Sequence, residues 1–497
     1  MGEDRQSGRR QSRRVTRVND TAASGATGSD ATRKLAHHAA TLTYAALPAT
    51  LVDLLKQCVL DTLGVAIGAS TLAPEAALVR DYVLDLGGKP ESTLLGFGGK
   101  APAAWAAFVN GSLGHMLDYD DIGDGGHVSI ATIPVAFAVA EKLGAVSGRD
   151  LLTAVAAGTD LHTRLDLAID IPDWTIAEGW FATQLFGFVS GAATAGSLLK
   201  LDTDRMENAL GIGYNQMSGS RQMAVGAATH MRSMQAGFSG QAAVMSAELA
   251  RRGVIGCKEI VEGRYGIFAN YVRTATPHWD ALVGDLGTAF PLLRTHGFKV
   301  WPACAYTRST NAAAQALRAK HELKPGDIEA VAIIGGTGGT KLLSEPIESK
   351  RRPQTSIDGK YSIPFTTAVM LVKGTVTLGD YTAEGLNDPA VLAMADRITY
   401  RDGDPETSSG SSSDYDGRPT VEVTTRDGRV LSTQADGVPG DPRHPVDWAL
   451  LEAKFRDCVS YSKTPIAARD VDAAIERVRN LEAVADVSDI VRLLVPQ

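Results

Sequence analysis

From Leu35 to about Val283 apolar residues recur at helical spacing almost without interruption, and a run of that length excludes most folds. Leu51, Leu54, Leu55, Val59, Leu60 and Leu63 follow i, i+3 and i+4 spacing, which places them on one buried stripe. Residues 151–160, 187–199 and 241–250 are rich in Ala, Gly and Ser. Small side chains let helix backbones approach closely, so the expectation is a tightly packed all-helical domain. A helix over 205–212 opens after Asp202 or Thr203, either of which suits an N-cap.

The character changes near Phe290. Residues 328–334 have strand composition, and Gly335-Gly336 ends them. Residues 397–401 also read as extended, and strands over 421–425 and 429–433 flank Asp427-Gly428, a strong hairpin signal. Residues 407–416 are rich in Ser, Gly and Asp and read as a loop. Helical spacing returns after Pro439 through Trp448, Leu451, Phe455 and Val459, with Pro445 suited to the first turn. The expected fold class is therefore mostly α: a large helical domain from residues 34–291 and 437–497, with an inserted α+β lid from 292–436. A chain of 497 residues is in any case too long for one core.

Charge narrows the partners. The first 33 residues carry a net of +3 and almost no large apolar side chains, so they read as a disordered basic tail. The remaining −11 argues against nucleic acid. No apolar run follows the Arg pairs of the tail, so no secretory signal is expected, and no apolar stretch is long enough to span a membrane. Cys58, Cys257, Cys304 and Cys458 are widely separated and form no C-x-x-C pair, which predicts no cysteine metal centre and a reducing compartment, the cytoplasm.

Chemistry concentrates in Asp118-Tyr119-Asp120-Asp121-Ile122-Gly123-Asp124-Gly125-Gly126-His127, between two apolar helices. Carboxylates crowded beside low-dielectric walls have their proton affinities pushed apart, which is how a site acquires one acid and one base. The rival reading is a solvated, helix-capping loop. His127 precedes a helix whose dipole disfavours imidazolium, leaving a neutral base that a carboxylate such as Asp118 could orient. Three further patches are weaker. Arg232, in 228–237, could hold a carboxylate or form a structural ion pair. Lys299, Trp301 and Cys304 lie together in 298–308, where Cys304 reads as a small buried residue. Lys360, Tyr361 and Ser362 place a cation beside two hydroxyls. The glycines of 335–339 lack the spacing and the following helix that dinucleotide binding needs, and read as a flexible connection.

Taken in order, these patches resemble the MmgE/PrpD family. The matching pieces are Asn110-Gly111, then His115 to Asp121 with His127, Ala209 to Gly213, Phe298 to Cys304, Asp358 to Phe365, Pro439 to Pro445 and Lys454-Phe455. The resemblance implies an all-helical domain with an α+β lid, a homodimer, no metal or other cofactor, and acid–base chemistry on a polycarboxylate. It makes Asp118 and His127 the active-site Asp and His. Phe181, Arg232, Gln235 and Arg308 stand where family members often carry His, Lys, His and His, so the inherited proton shuttles are altered. The reading is a dehydratase-type lyase acting on a small di- or tricarboxylate. His127 transfers the proton with Asp118 as its orienter or partner; Arg232, Lys299 and Lys360 hold the substrate carboxylates, and Tyr361 and Ser362 contact substrate from the lid. An isomerase or epimerase, a decarboxylase and a non-catalytic family member are the alternatives.

Overall fold

The computed structural model describes residues 28–495 apart from 124, 170, 172–174, 176–177, 225–228, 274–275 and 404–417. Among the described residues nine long helices come first: α1 (Ala31–Thr41), α2 (Ala49–Leu72), α3 (Pro74–Leu86), α4 (Ala103–Met116), α5 (Val128–Leu143), α6 (Gly148–Leu167), α7 (Ala182–Leu198), α8 (Thr203–Tyr214) and α9 (Met231–Arg251). The protein is mostly α, as its periodicity requires. Helix α5 is apolar on every side and buried from Val128 to Ala140, so it forms the middle of the packing rather than a face of it. Asp202 caps α8, its carboxylate accepting from the Arg205 N–H at 2.8 Å.

The small residues act where α4 and α9 cross. A Cβ on Gly237 would lie 2.4 Å from the Phe108 carbonyl, and one on Gly111 would lie 3.0 Å from that of Ala236. Only glycine lets these antiparallel helices touch backbone to backbone. The contact fixes the end of α4, which carries His115, beside the start of α9, which carries Arg232.

One hydrophobic core draws on α1–α9 and on the late helices Trp448–Ser460, Ala468–Arg479 and Ser488–Leu493. A second collects apolar residues from Trp301 to Ala435. Around it lies a four-stranded sheet in the order Ile398–Arg401, Ile328–Ile334, Thr420–Thr425, Val430–Thr433. The first pair is parallel and the others antiparallel. Gly428, at φ +86°, makes the tight turn of the final hairpin. A two-stranded pair, Ser92–Thr93 with Lys100–Ala101, interrupts the helices and is too short to show as an alternating pattern.

Several expectations need correction. Residues 28–33 belong to the fold, not to a tail: Thr32 is buried with its hydroxyl on Glu262 at 2.6 Å, and Arg33 pairs with Asp204 at 2.9 Å. The glycine run after residue 334 leads into a helix, Gly338–Ser344, because Gly335 and Gly336 take left-handed φ values of +77° and +91°. Pro445 precedes its helix; Asp447 is the cap, accepting from Leu450 N–H at 2.9 Å. The loop expected at 407–416 lies outside the described residues. Among those residues no single helix is long and apolar enough to cross a membrane.

Candidate active site

The Asp118–His127 turn is not a solvated loop. Asp118, Asp120, Asp121 and His127 are 0–6% exposed. Its shape follows from local backbone chemistry. Asp118 sits in the left-handed region at φ +49°, which sharply redirects the chain after α4. Ile122 then bridges to Gly297 through two hydrogen bonds of 3.0 and 2.7 Å. Gly123 and Gly126 exchange hydrogen bonds of 2.9 and 3.0 Å, and Gly125 and Gly126 take φ near +86°. A Cβ on Gly126 would meet Thr183 Oγ1 at 2.5 Å, and that oxygen accepts from the His127 N–H at 2.9 Å. The turn thus folds His127 back over the acids that precede it.

Side chains then separate by direction. Tyr119 packs outward under Lys454, whose ammonium lies 3.9 Å from the ring centre. Asp121 turns into the core toward His296 and Cys58. Asp118 and Asp120 face the site, with different partners. Asp120 Oδ1 is 2.9 Å from His115 Nδ1, and its Oδ2 is 2.9 Å from His127 Nδ1. The His127 Nδ1–H also faces the Asp121 carbonyl at 2.8 Å. Both imidazoles therefore carry a proton on Nδ1, held by these acceptors. Their ring centres are 4.3 Å apart. The orienter of His127 is Asp120, not Asp118 as the sequence reading had it. The left-handed turn at Asp118 sends that carboxylate to Lys299 Nζ, which also donates to the Asp118 carbonyl at 2.9 Å.

Electrostatics follow burial and pairing. Burial by itself would raise the Asp118 carboxyl, but Lys299, His115, Arg232 and His127 outweigh it and hold the group far below the usual carboxylate range. Asp120 is also pushed up by burial and pulled well down by its two imidazoles. Burial pushes the His115 imidazole down to about 4 against the pull of Asp120, with Arg232 and His127 adding to the fall, so His115 is neutral. Arg232 donates to its Nε2 lone pair. His127 Nε2 has no hydrogen-bond partner among the described residues.

The mouth of the site is formed by partly exposed side chains. The Arg232 guanidinium stacks 4.6 Å from the Phe181 ring and 6.0 Å from that of Tyr361. Deeper lies Lys360, 3% exposed, its Nζ 3.3 Å from the Met116 carbonyl. Burial lowers its pKa to about 8 against the attraction of Asp118 and Glu75. Lys299 is engaged by Asp118, a partner the sequence reading did not give it. The Ser362 hydroxyl caps the helix Ile363–Lys373 by accepting from Phe365 N–H at 3.0 Å, and the residue is fully buried. Arg308 is a structural ion pair, held on Asp441 at 2.5 Å and on the Pro439 carbonyl at 3.2 Å. Gln235 donates within its own helix to Arg232 O at 3.2 Å. Cys304 is a buried thiol, pushed up to about 11 by burial and by Asp118.

Three supports were given no role by the sequence reading. His115 closes α4 on an apolar background and gave no signal by itself. Lys454 reaches from the C-terminal helix to salt-bridge Asp61 at 2.6 Å, and it donates to the Tyr119 and Lys299 carbonyls at 2.6 and 3.0 Å. His162, lowered to about 4 by burial, holds the Gly125 carbonyl at 3.1 Å.

Residues 33–280 match the MmgE/PrpD N-terminal domain and residues 301–481 the MmgE/PrpD C-terminal domain, so the chain belongs to the MmgE/PrpD family. Among curated relatives, the cis-aconitate decarboxylase of Mus musculus is 26% identical over 460 residues, 88% of each chain. That of Homo sapiens is 26% identical over 456 residues, covering 88% of this chain and 89% of its own. That of Aspergillus terreus is 23% identical over 489 residues, covering 94% of this chain and 96% of its own.

Proposed function

We propose that the protein is a lyase acting on a small di- or tricarboxylate, with His127 as the proton-transfer residue. The observation that carries this is Asp120 bridging two buried imidazoles beside a set of cations. A carboxylate on Nδ1–H makes Nε2 more basic and stabilises the imidazolium formed when it takes a proton. Arg232 and Lys360 supply charge for the substrate carboxylates, and Arg232 presents the planar fork that suits them. Tyr361 closes the mouth. The segment 292–436 serves as the lid, since it contributes Lys360 and Tyr361.

Among lyase reactions, loss of CO₂ is favoured over loss of water by the names of the relatives. In a carboxylate allylic to a C=C bond, the C–CO₂ bond breaks and its electron pair forms a new C=C bond. The old π pair moves to the far carbon, which takes the proton that His127 Nε2 has first picked up from solvent as the imidazolium, and His127 is left neutral. A carboxylate on that carbon spreads the developing charge, and Arg232 and Lys360 stabilise it. Loss of water from a hydroxy acid uses the same residues in reverse order: His127 takes the proton next to a carboxylate and returns it to the leaving hydroxyl.

The test is incubation of the purified protein with cis-aconitate, 2-methylcitrate and related polycarboxylates, followed by NMR. Release of CO₂ from an unsaturated member of the panel is expected, and it should be lost in His127→Ala. Turnover that is unchanged in His127→Ala would overturn the assignment.

A further inference from the structure

Behind the catalytic turn, on the face away from the substrate groups, three further side chains converge. Cys58 from α2, Asp121 from the turn and His296 from the segment after Leu292–Thr295 are all buried. One ligand-type atom from each lies within 4.8 Å of the other two. His296 Nε2 is 3.2 Å from Cys58 Sγ and 3.1 Å from Asp121 Oδ2. These are close to the edges of a coordination tetrahedron, which for bonds of 2.0–2.3 Å run to about 3.3–3.7 Å.

Hydrogen bonding alone does not account for the arrangement. His296 Nε2 is shared between the Asp121 carboxylate and the Cys58 thiol, and thiol hydrogen bonds are weak. His296 Nδ1 is buried without a hydrogen bond among the described residues, and the Asp121 carboxylate has only the Ser129 hydroxyl and His296 Nε2 beside it among those residues. Such an orphaned group is costly in a dry core. The surroundings are also short of positive charge: Lys454 is the nearby cation and is engaged by Asp61, while Asp120 faces the imidazoles.

We propose that Cys58, Asp121 and His296 form a structural site for one divalent transition-metal ion, with zinc the best match to a sulfur, oxygen and nitrogen ligand set. Thiolate, carboxylate and neutral imidazole carry two negative charges, so a divalent ion leaves the buried site neutral. Ser129 stands next to the ligands at the first turn of α5. The ion pins α2, the catalytic turn and the approach to Lys299 together. Its link to the active site is short, because the Asp121 carbonyl faces the His127 Nδ1–H.

The test measures metal directly. Protein produced with zinc and freed of loose ions by gel filtration is analysed for zinc per chain, and zinc-loaded protein is examined by X-ray absorption. About one zinc per chain with one sulfur in its shell is expected. Replacement with cobalt(II) should give a thiolate-to-cobalt charge-transfer band that is lost in Cys58→Ser and His296→Ala and kept in Cys304→Ser. Wild-type protein without bound zinc overturns the proposal. So does an ion with only nitrogen and oxygen ligands, which would place it on His115, Asp120 and His127. Because the wild-type measurements decide by themselves, a variant that fails to fold does not shield the proposal.

Discussion

Replacing Asp120 by asparagine keeps the shape of the side chain and removes the property on which the site depends. The carboxylate accepts from two Nδ1–H groups at once, each 2.9 Å away. An amide has one acceptor oxygen, so its NH₂ must face the second imidazole and force that ring to move its proton from Nδ1 to Nε2. Loss of one charge-assisted bond costs about 1.5–3 kcal/mol, or roughly 10- to 150-fold in kcat/KM. If His127 is the ring that switches, the loss approaches the roughly 10⁴-fold that the same change causes in a Ser-His-Asp triad. Histidine ¹⁵N NMR reads the tautomers without a substrate, and kcat/KM on the substrate found reads the consequence. Asp120→Asn with both rings still protonated on Nδ1 and activity within about threefold of wild type would refute the argument.

Other consequences are simpler to measure. Asp118→Ala leaves the Lys299 ammonium buried and unpaired and should cost about 3–5 kcal/mol in urea unfolding, with much of it recovered in Asp118→Leu/Lys299→Met. Lys360 has a folded-state pKa of about 8 against an ordinary 10.5, so the folded protein binds fewer protons than the unfolded chain between those values. Its contribution to stability therefore rises as pH increases through that window, by on the order of 3 kcal/mol in total. In Lys360→Met this rise should vanish from the unfolding free energy, and in wild type KM should climb above pH 8 as the cation is lost. Ser362→Ala should cost about 1 kcal/mol as a lost helix cap while leaving KM unchanged. A raised KM would restore Ser362 to the substrate side.

What the sequence revealed, and what it hid, divides by range. The α1–α9 packing, the hairpin at Asp427-Gly428 and the site-bearing turn are local patterns, and each could be read from neighbouring residues. Division of labour within the turn could not. Four acids in seven positions look equivalent until one left-handed residue, Asp118, decides which carboxylate meets Lys299 and which meets the imidazoles. His115 carried no local signal, because a histidine closing an apolar helix is ordinary; it was present only among the residues that resemble the family. Lys454, Asp61, His162 and His296 act across gaps of tens to hundreds of residues, where spacing says nothing. The cap at Ser362 was hidden for the opposite reason, since a hydroxyl beside a cation also resembles a binding group.

The central claim, that His127 carries the proton while Asp120 holds it in place, is tested most directly by turnover of an unsaturated polycarboxylate in D₂O with wild type and His127→Ala compared by NMR. The account predicts CO₂ release with one deuterium at the carbon distal to the broken bond in wild type, and neither in the variant. Deuterium incorporation at an equal rate in His127→Ala would contradict it.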